Sequence, residues 1–308
     1  MGRRIGWTFA AAGLTAAVLT AGVLVAAGGR TVAPVASSTN PDPPDDTAIS
    51  PSPVASTSEV PYPDLSSVAS DLAGAVTSAS PGTSVGFVLY DRESGKELAA
   101  LDADRPYYTA SVVKLLIAID EVHDDATGAW TLPDADAVED LTEMLEGSND
   151  AIASAFWERN GGTAIVTRTA ALIGLTHTTP PSDPTQWGMA ETSPADVLAT
   201  YEYLEDVVPD AVSAPLLAAL GNARNPADDG WDQYFGIPDG LPGRSWQIKQ
   251  GWMILRNALV LNTTGVVGGR YVVVLLTQQP PIASAKGRAA VTAGIKSLAP
   301  LLTQLDAT

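Results

Sequence analysis

The two residues best suited to chemistry in this chain are a serine and a lysine three positions apart. They belong to the segment Ser111-Val112-Val113-Lys114, and no other serine in the 308 residues stands three positions before a lysine. Residues with this spacing lie on one face of a helix, so the Lys114 amine can reach the Ser111 hydroxyl. Apolar surroundings disfavour an ammonium group, and a neutral amine can accept a hydroxyl proton. The spacing therefore predicts a serine nucleophile with a lysine base.

The alternative interpretation of this segment is a helix cap followed by an ordinary surface lysine. It fits less well, because Lys114 stands inside the apolar run 112–117, where an exposed side chain is not expected. The first turn of a helix also offers unpaired N–H groups and partial positive charge, which would stabilise an oxyanion. The segment therefore favours a nucleophile at a helix N-terminus.

Two further polar groups follow along the chain. Ser148-Asn149-Asp150 lies between Gly147 and a predicted helix, and Lys249-Gln250-Gly251-Trp252 lies on a predicted strand. With Ser111 and Lys114 they resemble the three motifs of the penicillin-recognising serine hydrolases, namely S-x-x-K, S-D-N or S-x-N, and K-[TS]-G. These hydrolases are the β-lactamases and penicillin-binding proteins. The resemblance spans about residues 61–308 and is greatest to the class A β-lactamase-like group.

The resemblance implies a role for each matching position. Ser111 would be the acylated nucleophile and Lys114 its activating base. Ser148 would relay a proton to the leaving nitrogen, while Lys249 would hold a substrate carboxylate and lower the pKa of Ser148. Backbone N–H groups of Ser111 and Trp252 would form the oxyanion hole. The positions expected to bind substrate are Asp150, Gln250, Gly251 and Trp252.

The motifs also depart from the family pattern. Asp150 stands where the family usually has an asparagine, so two N–H donors are lost and a carboxylate would favour the charged form of Lys114. Gln250 replaces the hydroxyl residue that helps to bind a carboxylate. The loop 177–191 has Asp183 and Glu191 as its only acids. We expect neither to act as the glutamate that activates the deacylating water in class A β-lactamases.

Two functions therefore stay open. The first is an exported serine hydrolase that forms an acyl-enzyme at Ser111 on β-lactam or peptide-like amide substrates and deacylates slowly. The second is a catalytically degenerate envelope protein of the same fold, which binds a ligand or partner; Asp150 and Gln250 motivate it.

Composition excludes several other functions. The chain has no cysteine, two histidines, and 17 basic against 35 acidic residues, a formal charge of −18. Disulfides, cysteine nucleophiles and a lipidated-cysteine anchor are excluded, and a multi-histidine metal centre is not expected. The acidity argues against nucleic acid as a partner. We predict no cofactor, a small-molecule or peptidoglycan-like substrate, and a monomer.

The first 60 residues of the chain divide into segments of different composition. Arg3 and Arg4 precede 25 uncharged residues, so 1–29 is predicted to be a cleaved signal peptide or a retained membrane anchor. Residues 30–60 are rich in Pro, Ser and Thr and are predicted to form a linker. The protein is therefore expected outside the cytoplasm, secreted or in the cell envelope.

Residues 61–308 are predicted to form one β-lactamase-like domain of the α+β class. An antiparallel sheet of about five strands would come from 61–110 and 246–308, with a helical part, 111–245, inserted between them. The predicted helices are 65–80, 111–121, 135–146, 151–159, 163–174, 194–207, 211–220 and 284–298. The predicted strands are 84–91, 97–101, 246–255, 257–264 and 270–278.

Overall fold

The computed structural model describes residues 63–307. The predicted signal or anchor (1–29) and linker (30–60) lie outside the described residues. The helices are α1 Val68–Ala79, α2 Lys114–Val122, α3 Ala135–Glu146, α4 Asp150–Arg159, α5 Thr163–Ile173, α6 Pro194–Asp206, α7 Asp210–Gly221, α8 Ile237–Gly240, α9 Ser284–Lys296 and α10 Ala299–Leu305. The strands are β1 Ser84–Asp91, β2 Lys96–Leu101, β3 Tyr107–Tyr108, β4 His123–Asp124, β5 Ala129–Trp130, β6 Glu191–Thr192, β7 Trp246–Ile254, β8 Leu259–Val267 and β9 Tyr271–Gln279.

The main sheet has five antiparallel strands in the order β2-β1-β9-β8-β7. Strands from the two ends of the described chain meet at its centre, where Ser84 of β1 lies opposite Gln278 of β9 and Asp91 lies opposite Tyr271. Helices α2 to α8 lie between the two groups of strands in the sequence. The predicted α+β class, with about five antiparallel strands and inserted helices, is confirmed.

Both faces of the sheet are covered, which explains the unbroken apolar run of β9. Side chains alternate along a strand, so Val272 and Val274 pack with the helices of the insert, while Val273 and Leu275 pack with α1 and α9. A Cβ at Gly294 of α9 would lie 2.5 Å from Val76 of α1, so a glycine is needed where these helices touch. The sheet is therefore the middle layer of the fold.

Local sequence signals determined several boundaries. The helix predicted at 135–146 and the strand predicted at 84–91 are confirmed residue for residue. The Ser193 side chain caps α6 by accepting from the Asp196 N–H at 3.2 Å, and Pro194 is the first residue of that helix. The helix predicted at 284–298 is α9, which ends at Lys296. A further helix that was not predicted, α10, follows it, and Pro300 lies in its first turn, where the missing N–H costs no hydrogen bond.

The segment that carries Ser111 differs in detail from the predicted helix. A 3-10 turn at Ala110–Val113 comes first, and α2 begins at Lys114. Ser111 and Lys114 therefore lie where this turn passes into a helix, in the interior between sheet and insert. In the part of the chain that the structure describes, no helix is both long and apolar enough to cross a membrane.

Candidate active site

Ser111 lies at the start of the 3-10 turn and is 5% exposed. The preceding strand β3 pairs with β6, and the Thr109 N–H donates to the Ala190 carbonyl at 2.8 Å, which anchors the turn to the loop before α6. Ala110 then adopts a φ of 44°, an unusual conformation for a residue other than glycine. Such conformations persist only where surrounding contacts enforce them, and they are common at functional sites.

Strand β7 approaches this turn closely at Gly251. A Cβ at that position would lie 2.7 Å from the Thr109 carbonyl oxygen and 3.3 Å from Ala110 Cβ. Because the first distance is shorter than normal contact, a glycine is what allows the edge strand to lie against the turn. Gly251 therefore serves the site through its small size.

Lys114 lies beside Ser111 and is fully buried. Its Nζ lies 2.9 Å from Ser111 Oγ, 2.7 Å from the Ser148 carbonyl oxygen and 2.6 Å from Asp150 Oδ1. Burial lowers the pKa of Lys114, while the Asp150 charge acts in the opposite direction. The predicted contact between the Ser111 hydroxyl and the Lys114 amine is present.

The partners of Lys114 decide the direction of its hydrogen bond with Ser111. The Ser148 carbonyl and the Asp150 carboxylate can only accept, so they take two N–H groups. A neutral amine then has its lone pair left for the Ser111 hydroxyl proton. An ammonium group has a third N–H instead, which donates to Ser111 Oγ and keeps that hydroxyl protonated. The charge on Lys114 therefore determines whether it can act as a base.

Ser148 joins the two buried lysines. Its Oγ lies 3.2 Å from Lys114 Nζ and 2.9 Å from Lys249 Nζ, and its backbone adopts a φ of 55°. Lys249 is 1% exposed, and burial together with the Lys114 charge lowers its pKa well below the usual value. A hydroxyl shared by two amines can pass a proton between them. The structure thus brings Ser111, Lys114, Ser148 and Lys249 together around one connected set of hydrogen bonds.

Asp150 is the first residue of α4, whose N-cap is Asn149. The Asn149 side chain accepts from the Ile152 N–H at 3.0 Å and donates to Asp228 Oδ2 at 2.8 Å. Capping directs the Asp150 side chain to the open side of the site, where it is 64% exposed while paired with Lys114. The Asp150 carboxylate, which was expected to lie near Lys114, is therefore in direct contact with it.

Gln250 was expected to bind substrate, but its side chain does not face the cleft. Its side chain is fully buried, and its amide donates to the carbonyls of Gln233 at 3.1 Å and Phe235 at 2.6 Å. Because side chains alternate along β7, Gln250 points away from the face to which Lys249 points. Its side chain holds the loop before α8 and does not line the cleft.

An open cleft of about 290 Å³ lies above Ser111. It is lined by Ala110, Ser111, Asp150, Ser154, Thr185, Gln186, Trp187, Gly188, Trp252 and Met253. Trp252 forms one wall, with its ring stacked on Trp231 at 5.8 Å between centroids and its indole N–H donated to Asp229 Oδ2 at 2.9 Å. Of the four positions expected to bind substrate, Asp150 and Trp252 line the cleft.

Sequence reasoning missed Trp187 on the opposite wall. Its ring centroid lies 4.9 Å from Lys114 Nζ, and its indole N–H donates to Ser154 Oγ at 3.2 Å. A tryptophan in a polar loop was the available signal, since a large aromatic side chain in a loop usually packs against something. Trp187 keeps Lys114 away from water on this side.

The two acids of the loop 177–191 do not reach the cleft. Asp183 is exposed and accepts from Thr185, while Glu191 lies on β6 opposite Tyr108. Among the residues that the structure describes, Asp150 is the one carboxylate that lines the cleft. That neither loop acid activates water remains a prediction.

Comparison with solved structures identifies the fold. The β-lactamase from Desulfarculus baarsii DSM 2075 is 19% identical, and the match has a TM-score of 0.61 and covers 78% of this chain and 98% of that protein. PBP-A is 17% identical with a TM-score of 0.62, over 79% of this chain and 98% of that protein. At this identity the match defines the fold, which is that of the β-lactamases and penicillin-binding proteins. The fold resemblance inferred from the three motifs is confirmed.

Comparison with curated proteins identifies a family within that fold. A protein of Mycobacterium tuberculosis and Mycobacterium bovis described as "Putative lipoprotein LppW" is 35% identical over 228 residues, which is 72% of this chain and 71% of that protein. The chain belongs to the LppW family. No protein-family model matches the sequence.

Proposed function

We propose that this protein is an exported serine hydrolase that forms an acyl-enzyme at Ser111. The observation that carries the proposal is the 2.9 Å contact between Ser111 Oγ and Lys114 Nζ, at the floor of an open cleft. The shared Ser148 hydroxyl between Lys114 and Lys249 supports it, because acyl transfer needs a proton path from nucleophile to leaving group.

Acylation would proceed through the buried amine. Neutral Lys114 takes the Ser111 proton as Oγ attacks the substrate carbonyl carbon, and the new oxyanion is held by the N–H groups of Ser111 and Trp252. Collapse of the tetrahedral intermediate breaks the bond to the leaving group. The proton then passes from Lys114 through Ser148 to the leaving nitrogen. The products are an ester on Ser111 and a neutral amine, and Lys114 is again the neutral base.

Deacylation is proposed to be slow. It needs a base that removes a proton from water on the open side of the ester. Among the described residues, Asp150 is the carboxylate that lies on this open side. It is already paired with Lys114 at 2.6 Å. A carboxylate that already accepts a hydrogen bond from Lys114 is a weaker base for water. We therefore propose that β-lactams and peptide-like amides acylate Ser111 and that the resulting ester is hydrolysed slowly.

The proposed location is the cell envelope or the outside of the cell, with the protein acting as a monomer. Residues 1–29 would be the export signal or anchor, 30–60 a linker and 61–308 the catalytic domain. The name of the mycobacterial relatives supports an envelope location. Attachment through a lipidated cysteine does not transfer, because these 308 residues contain no cysteine.

The direct test is intact-protein mass spectrometry after incubation with a fluorescent penicillin. We expect one adduct of the mass of the intact penicillin, located on Ser111, that persists for hours. Ser111→Ala should carry none, while Ser78→Ala, at an exposed serine of α1 that does not line the cleft, should label like the wild type. If a folded sample forms no adduct with the penicillin or with the activated thioesters described below, the proposal is wrong. Binding of cell-wall fragments by such an inert protein would then favour the ligand-binding alternative.

A further inference from the structure

The cleft offers a substrate almost no positive charge. Among the described residues that line it, the charged one is Asp150, a carboxylate. Lys114 lies directly behind, but its Nζ is paired with that carboxylate at 2.6 Å. A negatively charged substrate group would therefore meet an acid before it met a base.

Lys249 is the residue expected to hold a substrate carboxylate, and its surroundings do not suit that role. Its Nζ is bound to Ser148 Oγ and to the Gln250 carbonyl, and no carboxylate within residues 63–307 forms an ion pair with it. Burial and the Lys114 charge both lower its pKa. Both effects favour the neutral amine, which does not attract a carboxylate.

Asp229 adds negative charge beside Trp252, which forms one wall of the cleft. Its Oδ2 accepts from the Trp252 indole at 2.9 Å, and its charge raises the pKa of both Lys114 and Lys249. Asp229 is exposed, and no cation in the described part of the chain forms an ion pair with it. A charge that acts on both buried amines also acts on a ligand lying above them.

The neighbouring guanidinium groups are already compensated. Arg224 is paired with Glu143 at 2.6 Å and Asp228 at 2.7 Å. Arg288 is paired with Asp232 at 3.7 Å. Neither arginine lines the cleft. These two arginines therefore provide no free cation for a substrate anion.

We propose that this site selects acyl donors whose leaving group is uncharged or positively charged, such as an amidated peptide end, over donors with a free carboxylate there. The inference rests on the proposed acyl transfer at Ser111. It replaces the expectation, taken from the motif resemblance, that Lys249 holds a carboxylate of the substrate. Asp150 and Asp229 are the residues that repel the anion. The side chain of Gln250, which is turned into the fold, supplies no group to hold it.

Three thioesters of benzoylglycine test the proposal, with thioglycolate, thioglycolamide or thiocholine as the leaving thiol. In each reaction Ser111 Oγ bonds to the carbonyl carbon, the C–S bond breaks, and the serine proton passes through Lys114 and Ser148 to the departing sulfur. The acyl-enzyme is the same in all three, and water hydrolyses it to benzoylglycine. A thiol reagent reports only product, because the protein has no cysteine.

We expect the acylation rate constant, divided by the alkaline hydrolysis rate of the same thioester, to rise from thioglycolate to thioglycolamide to thiocholine. Asp229→Asn keeps a hydrogen-bond acceptor for Trp252 and removes the charge. It should reduce the ratio of the thiocholine to the thioglycolate rate by about fivefold to tenfold. Asp136→Asn, which removes an exposed carboxylate of α3 away from the cleft, should leave that ratio unchanged.

The outcomes separate this inference from the proposed function. If all three thioesters acylate Ser111 and thioglycolate is the fastest after normalisation, the charge preference is wrong while acyl transfer stands. If the ratio is the same in Asp229→Asn and in the wild type, Asp229 does not set the preference and the inference fails. If no thioester or penicillin acylates a folded sample, the proposed function itself fails.

Discussion

Lys114 Nζ lies closer to Asp150 Oδ1, at 2.6 Å, than to Ser111 Oγ, at 2.9 Å. The carboxylate stabilises the ammonium form of the amine, and burial opposes it. Because only the neutral amine can take the serine proton, Asp150 controls what fraction of the protein is reactive at a given pH. This one contact links a helix N-terminus to the proposed nucleophile.

The first prediction concerns the charge of Asp150. In Asp150→Asn the Coulombic stabilisation of the ammonium is lost, so the pKa of Lys114 falls and the neutral base is present at lower pH. We expect acylation near pH 7 to become about tenfold faster and the rise of the pH–rate profile to move to lower pH. The measurement is the second-order rate constant for penicillin labelling between pH 5 and pH 10.

Asp136→Asn is the matched control for that experiment, because Asp136 is the acid in the first turn of α3, as Asp150 is in α4. It is exposed and does not line the cleft. Its profile should match the wild type. No gain in Asp150→Asn, or a loss, would show that Asp150 has a positive role in the reaction.

The second prediction concerns the shared hydroxyl of Ser148. Removing it breaks the proton path between Lys114 and Lys249, so acylation should slow by about 10²-fold to 10⁴-fold in both Ser148→Ala and Ser148→Gly. The φ of 55° at this position suits glycine better than alanine, so the glycine variant should unfold at the higher temperature. Labelling rates and thermal melts measure the two effects separately. A variant that labels at the wild-type rate would remove Ser148 from the proposed path.

The third prediction concerns the contact of β7 with the serine turn. In Gly251→Ala the new Cβ would lie 2.7 Å from the Thr109 carbonyl oxygen, so strand and turn must move apart. We expect a loss of about 1–3 kcal/mol in the free energy of unfolding, with slower labelling of Ser111. Gly74→Ala, in α1 with no atom within 4 Å of the added Cβ, should be neutral or stabilising. Urea denaturation compares them, and equal stability of both variants would contradict the steric argument.

The fourth prediction concerns acid stability away from the site. Asp91 is buried and bound by Arg270 at 2.8 Å, which lowers the pKa of Asp91 to about 2. A carboxyl with a depressed pKa in the folded state stabilises the protein above its unfolded pKa, and this contribution is lost as the pH falls toward 2. Asp91→Asn should therefore lose about 2 kcal/mol of unfolding free energy at pH 7. Denaturation at several pH values should show that the difference in unfolding free energy between the wild type and Asp91→Asn becomes smaller below pH 5. A difference that stays constant with pH would contradict the depressed pKa of Asp91.

Much of the fold could be predicted because its signals are local. The strand β1 and the helix α3 follow from side-chain periodicity, and the start of α6 follows from Ser193 as a cap and Pro194 as first residue. Gly147 shows the limit of such signals. It is the C-cap residue of α3, but its φ of −86° suits any residue, and glycine is needed because a Cβ there would collide with the Arg224 and Asp228 side chains.

Part of the site also lay within reach of sequence reasoning and was still misjudged. Once 246–255 is taken as a strand, Lys249 and Gln250 are expected to point to opposite faces. The structure shows this alternation directly, with Lys249 on Ser148 and Gln250 on the loop carbonyls. The prediction that Gln250 binds substrate followed the motif resemblance and did not take the alternation of side chains along the strand into account.

By itself the sequence determined the Ser111–Lys114 pair, because three residues of helical backbone bring a hydroxyl and an amine together whatever surrounds them. Only the tertiary structure decided the charge state available to that pair. It placed Asp150 on Lys114, Trp187 over the amine and Asp229 beside Trp252, three contacts between segments distant in the chain. A pKa depends on every charge and every water within several ångströms, and chain folding, not residue order, determines those neighbours.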